Sequence, residues 1–202
     1  MPPKKQLQDR PENGGDARGD WYTRHSVLQT AQRAAALVNV LAGEKSTPED
    51  VAAVLREHGE ADPLEVSRED VKQMRVVAGS LRDVFTSPDV AEAATRLNRL
   101  LAEGSGPARL TSHGGRTPWH IHLDGDDEAP WSEWFLASSC MAMAVLIWDR
   151  QRPPGGVCAS SRCTNVYVAG GSGAPRRYCS GRCATRERVA SHRRSRPASE
   201  RN

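Results

Sequence analysis

Residues 157–196 read VCASSRCTNVYVAGGSGAPRRYCSGRCATRERVASHRRSR. Cys158 and Cys163 form C-x4-C, Cys179 and Cys183 form C-x3-C, and fifteen residues separate the pairs. Two close cysteine pairs joined by a Gly/Ser/Pro-rich loop suit a tetrahedral zinc ion, each pair clamping one edge. Four thiolates fill every coordination position, which marks one structural Zn2+ rather than a catalytic one. Two disulfides would need an oxidising compartment, which nothing in the chain indicates. A module of about forty residues with few apolar groups cannot fold on its own core. Metal binding supplies about 10–16 kcal/mol in zinc-finger peptides. Val157, Val166, Tyr167, Val168 and Tyr178 are expected to form a miniature core. Val166–Val168 and Arg176–Tyr178 are its two expected strands, with 170–175 as the turn between them.

The second cysteine pair runs straight into a basic helix. On it, Arg186, Val189 and Arg193 share one stripe and Arg188 and His192 a neighbouring one. Guanidinium groups suit phosphates and guanine edges. Arg176, Arg177, Arg182, Arg186, Arg188, His192, Arg193 and Arg194 are therefore the candidate nucleic-acid contacts. His192 lies nine residues beyond Cys183, more than two helical turns. It reads as a phosphate contact or a solvent-facing residue, not a fifth ligand.

Charge follows the same division. From Arg150 onward twelve arginines face two acids, Glu187 and Glu200, a net +10. The rest of the chain carries −7, which recovers the overall +3. An acidic body with a basic tail points to a polyanionic partner. Residues 1–20 are polar, with no apolar stretch, and are expected to be disordered and to lack a secretory signal. Cys140 sits in an apolar run and reads as a small core residue.

Upstream, helical signals dominate. Apolar positions from Val27 to Leu41 recur at helical spacing after Ser26, and Gly43 ends that helix. Thr47-Pro48-Glu49-Asp50 opens a helix to His58, with Gly59 as its stop. Ser67-Arg68-Glu69-Asp70 opens one to about Phe85, and Ser87-Pro88-Asp89 one ending near Gly104. Residues 108–113 and 118–123 read as a β-hairpin around Gly114-Gly115. Residues 129–148 are nearly long and apolar enough to span a bilayer. Glu133 and three serines dilute the run, so a buried helix is expected, not a membrane span. Residues 150–156, with Pro153-Pro154-Gly155-Gly156, read as a hinge. The fold class is thus mainly α with a small β-hairpin (α+β), a helical N-terminal domain plus a C-terminal zinc-binding module.

The cysteine module resembles the CGNR zinc-finger family. The resemblance rests on Cys158-Ala159-Ser160-Ser161-Arg162-Cys163, Arg176-Arg177-Tyr178-Cys179-Ser180, Cys183-Ala184-Thr185-Arg186 and Ala190-Ser191-His192-Arg193-Arg194. The namesake Gly-Asn is Ala184-Thr185 here, and the last cysteine pair is spaced by three where many members have four. Neither departure removes a ligand. The body resembles the ABATE domain through Leu37-Val38-Asn39-Val40-Leu41, Leu97-Asn98-Arg99-Leu100-Leu101 and Trp119-His120-Ile121-His122. The resemblance implies 21–149 as the ABATE-like domain and 157–196 as the finger with its basic helix; 197–202 are expected to be a disordered tail. The resemblance also implies a stress-linked transcriptional regulator that binds DNA through the finger.

On the hairpin, His120 and His122 alternate onto one face, His113 sits opposite and Asp124 follows. These histidines could make a second metal site, a metalloenzyme centre or a small effector pocket. The favoured reading is a polar strand face with Trp119, Ile121 and Leu123 packed inward. No nucleophile triad, phosphate-binding glycine loop or paired-histidine zinc motif is present, so no enzyme is expected. The expected function is a cytoplasmic DNA-binding regulator, nucleoid-associated when bound. Its body would dimerise or sense a small-molecule effector, and a two-fold dimer would match two half-sites. The alternative is a zinc-stabilised adaptor for RNA or protein. The few aromatics near the finger weigh against single-stranded RNA.

Overall fold

The computed structural model describes residues 26–104, 106–126, 128–170 and 176–195. The termini expected to be disordered, 1–20 and 197–202, lie outside the described residues, as does most of the expected 170–175 turn. Six helices and two short antiparallel hairpins are present among the described residues. They are α1 (Val27–Leu41), α2 (Pro48–Glu57), α3 (Arg68–Phe85), α4 (Val90–Gly104), β1 (Arg109–Thr111), β2 (His120–His122), α5 (Trp131–Arg150), β3 (Gly155–Val157), β4 (Val166–Val168) and α6 (Gly181–Ser195).

Local chemistry accounts for the helix starts. Ser26 caps α1 by accepting from the Gln29 amide. Thr47 with Asp50, and Ser67 with Asp70, form full capping boxes at α2 and α3. Asp89 takes that role for α4, its carboxylate accepting from the Glu92 amide at 2.9 Å. Gly59, at φ 91°, follows α2 where a side chain would be strained.

Helix α5 is the axis of the body. It packs against α1, α3 and α4 and buries Phe135, Ala137, Cys140, Ala142, Met143 and Leu146. Its length and composition would suit a membrane span; here its apolar surface meets Leu37, Leu41, Met74, Leu81 and Leu97 in one core. Burial pushes the Cys140 thiol up to about 12, so it is inert at neutral pH, as a packed cysteine should be.

Two strand expectations are corrected. Val166–Val168 pairs not with Arg176–Tyr178 but with Gly155–Val157, in the register Gly155 to Val168, Gly156 to Tyr167 and Val157 to Val166. Part of the expected 150–156 hinge is therefore sheet. The reason is steric. A Cβ on Gly155 would collide with the Tyr167 carbonyl oxygen and lie 2.8 Å from Phe85 Cδ1, so only glycine lets β3 lie there. The Arg177 carbonyl instead accepts from the Ala159 amide at 2.8 Å, which draws that segment to the first cysteine loop. The expected miniature core is also corrected: Val166 and Val168 join the main core of the body, while Val157 is exposed.

The module is fastened to the body by polar contacts as well. The Asn39 side chain on α1 donates to the Val166 carbonyl at 3.0 Å and accepts from the Val166 amide at 2.8 Å. Arg82 on α3 donates to the Thr164 carbonyl, and Arg150 to the Ala169 carbonyl.

Replacing Asn39 by alanine leaves the two Val166 backbone groups without this partner and is expected to cost about 1–3 kcal/mol. Gly155→Ala is expected to destabilise by at least about 1–3 kcal/mol, because both clashing groups are packed. Denaturant unfolding of each variant against the parent chain measures both.

Candidate metal centre and nucleic-acid surface

Two loops and one helix start bring the four cysteines together. Cys158 follows β3, and its amide donates to the Asn165 carbonyl at 2.8 Å. The Cys163 amide donates to the Ser160 carbonyl at 3.0 Å, closing a tight turn between the first pair. Cys179 precedes α6, and its amide donates to Cys158 Sγ at 3.4 Å. Cys183 lies in the first turn of α6. That helix begins at Gly181, and the Ser180 hydroxyl caps it by accepting from the Cys183 amide at 3.3 Å.

All four Sγ atoms lie within 4.8 Å of one another. Cys163 to Cys179 is 3.6 Å and Cys179 to Cys183 is 3.7 Å. Four thiolates about 2.3 Å from a shared zinc sit about 3.8 Å apart, and a disulfide would need about 2.05 Å. The donor set and its spacing fit one structural zinc ion. Cys158 and Cys183 are buried and the other two partly so. The Ser180 hydroxyl is the largest influence pulling the Cys183 thiol down to about 7. Burial, followed by the neighbouring thiols, pushes Cys179 up to about 12. Four sulfurs this close cannot all ionise unless a cation lies between them.

Glu187, the one acid on α6, turns back onto the first cysteine loop. Its carboxylate accepts from the Ser160 hydroxyl at 2.9 Å, the Ser161 amide at 3.0 Å and the Ser161 hydroxyl at 3.2 Å. These bonds, the Ser160 hydroxyl first, hold it below the usual carboxylate range. Cys183, Glu187 and Arg194 share one face by the three-and-four rule, and Arg182, Arg186, Val189 and Arg193 share another. The metal and Glu187 thus fix how α6 is turned. Sequence reasoning missed Glu187, Ser180 and Asn39 as positioning residues. The isolation of one acid among five arginines on α6 was the available signal for Glu187.

The eight candidate contacts separate in the structure. Arg182, Arg186, Arg188, His192, Arg193 and Arg194 are exposed along α6. Arg176 is committed within the module, donating to the Tyr178 and Cys179 carbonyls with its guanidinium 5.3 Å from the Tyr167 ring centroid. Arg177 is exposed, its guanidinium 5.9 Å from the Tyr178 ring centroid.

On the hairpin the favoured inward face is overturned. Trp119 and Ile121 are 68% and 48% exposed, while the His122 side chain is only 13% exposed. Asp124 explains the inversion. It is buried, accepts from Arg109 Nη2 at 2.8 Å and from His122 Nδ1 at 2.8 Å, and so draws the histidine face inward. Strand alternation then turns Ile121 out. His113, in the left-handed region at φ 48°, opens a turn continued by Gly114 and Gly115 at positive φ. His113, His120 and His122 come together at the edge of a cavity of about 720 Å³ between the hairpin, α1 and α5. Buried Arg33 also lines it, paired with Glu60 and 4.3 Å from the Trp134 ring centroid. Burial lowers the Arg33 pKa, with Glu60 partly offsetting it.

A family model, ABATE, described as "Putative stress-induced transcription regulator", matches residues 45–150. The CGNR zinc finger model matches residues 156–196. No curated protein matches the chain.

The Glu187 contribution has a defined pH window. Its folded pKa is depressed, so its stabilisation is present above the ordinary carboxylate value of about 4.3 and is lost as pH falls through the folded value. Glu187→Gln is expected to retain zinc, to speed amide exchange at Ser161 and along α6, and to flatten the pH dependence of that exchange below about pH 4.3. Hydrogen exchange with zinc analysis checks all three.

Proposed function

The chain belongs to the ABATE family, and from that premise we propose that it is a DNA-binding transcriptional regulator whose zinc finger delivers α6 to the duplex. One observation carries the reading. The metal-pinned helix turns its only acid inward and leaves Arg182, Arg186 and Arg193 on an exposed stripe. Arg188, His192 and Arg194 flank it, and Arg177 extends the basic surface beside Tyr178. Arginine on such a helix pairs with phosphates and with guanine in the major groove. Arg176 acts differently, bracing the turn into Cys179.

The body supplies sensing. Helix α1 lines the cavity with Val27, Thr30 and Arg33 and holds β4 through Asn39. An effector in the cavity would press on the same rigid helix that seats the finger. Two copies related by a two-fold axis would present two fingers to two half-sites. The regulator acts in the cytoplasm, on the nucleoid when bound.

Fluorescence anisotropy on DNA fragments across a salt series tests the proposal in the full chain. Binding is expected to weaken linearly in log[salt]. Arg186→Ala and Arg193→Ala are each expected to reduce the slope by about 0.9 if they contact phosphate, and the chelated protein is expected to lose binding. Equal affinity for all DNA sequences would remove the regulator, and preference for RNA would replace DNA as the partner.

A further inference from the structure

We propose that His113, His120 and His122 bind a second metal ion, a divalent transition cation of the zinc, copper, nickel or iron class, separate from the finger zinc. The argument starts from hydrogen-bond direction. His120 Nδ1 lies 2.8 Å from the Pro118 carbonyl oxygen, which can only accept. That nitrogen must carry the proton, so Nε2 of the neutral ring is a lone pair. His122 Nδ1 lies 2.8 and 2.9 Å from the two Asp124 oxygens. Arg109 Nη2, 2.8 Å from Asp124 Oδ1, supports the carboxylate form. His122 Nδ1 therefore donates too, and its Nε2 is likewise a lone pair.

The His120 and His122 lone pairs face each other, and His113 Nε2 lies beside them. His120 Nε2 is 2.9 Å from His122 Nε2 and 3.2 Å from His113 Nε2. Neutral imidazole nitrogens repel at this range unless something positive joins them. Three ring nitrogens about 2.0–2.1 Å from a tetrahedral ion lie about 3.3 Å apart, close to these separations. The outer nitrogens already have the supports that metal-bound histidines use, one a backbone carbonyl and one a carboxylate. Neutral imidazoles select borderline transition cations over magnesium or calcium.

The site differs in kind from the finger. Three protein ligands leave a fourth position, and the histidines border the cavity. Thr117 Oγ1, lining the same cavity, is buried with no hydrogen-bond partner among the described residues. A metal-bound water or anion in the cavity would have a polar wall to meet. The inference rests on the hairpin alone and stands whether or not α6 binds DNA.

The test uses the full chain with its finger zinc retained, since β4 is part of the body core and truncation would damage both sites. Dialysis against Zn2+ is expected to load a second equivalent, absent from the His120→Ala/His122→Ala double variant. Asp124→Asn, which removes only the outer support, is expected to weaken this second binding by about 10- to 100-fold. Co2+ added to the zinc-loaded chain is expected to show d–d bands without thiolate-to-cobalt charge transfer. Finger zinc content and circular dichroism establish that each variant is folded. Saturation at one equivalent, retention of two by the double variant, or a thiolate band accompanying all bound cobalt would overturn the proposal. The cobalt spectrum of the parent chain decides the matter even if a variant fails to fold.

Discussion

One three-residue strand, Val166–Val168, belongs to both halves of the molecule, and the arrangement depends on it. Its valines are buried in the helical core, and its backbone is clasped by Asn39 and paired with Gly155–Val157. The loop before it carries Cys163 and the loop after β3 carries Cys158. Swinging the finger away would expose two valines and leave the Val166 amide and carbonyl without partners. Unpaired buried backbone groups are costly, so the finger sits on the body as a fixture rather than hanging from a flexible tether.

The metal completes what the strand begins. The strand positions the first cysteine pair, the sulfur tetrahedron draws the second pair to it, and Cys183 lies within the first turn of α6. Glu187 then settles the rotation of that helix. Cap, cation and carboxylate act at successive turns, at Ser180, Cys183 and Glu187, so a helix with little packing of its own acquires a defined direction. The family match agrees with this division, with the body in one model and the finger in the other.

Helix α1 connects the two candidate sites. Its first half lines the cavity that the histidines border, and Asn39 near its far end holds the finger strand. One helix therefore touches both candidate sites.

Much was legible from residues alone. The helix starts followed from Ser26, and from Thr47 and Ser67 with their acidic partners, because a cap is satisfied within one turn. The cysteine tetrad and its metal followed from spacing, because two close cysteine pairs joined by a short loop can meet around one tetrahedral ion. Strand partners and the inward face of the hairpin were not legible. The Gly155-Gly156 pair looks like a linker until Tyr167 and Phe85 are placed against it. Alternation along residues 119–123 supports either face, and only the buried Asp124 with Arg109 chooses the histidines. Local chemistry therefore determined the helices, the ligand set and the basic helix. Tertiary contact between distant residues decided which strands pair, how the finger seats and which side chains meet in the cavity, because those choices turn on close packing and on partners that no short stretch of sequence contains.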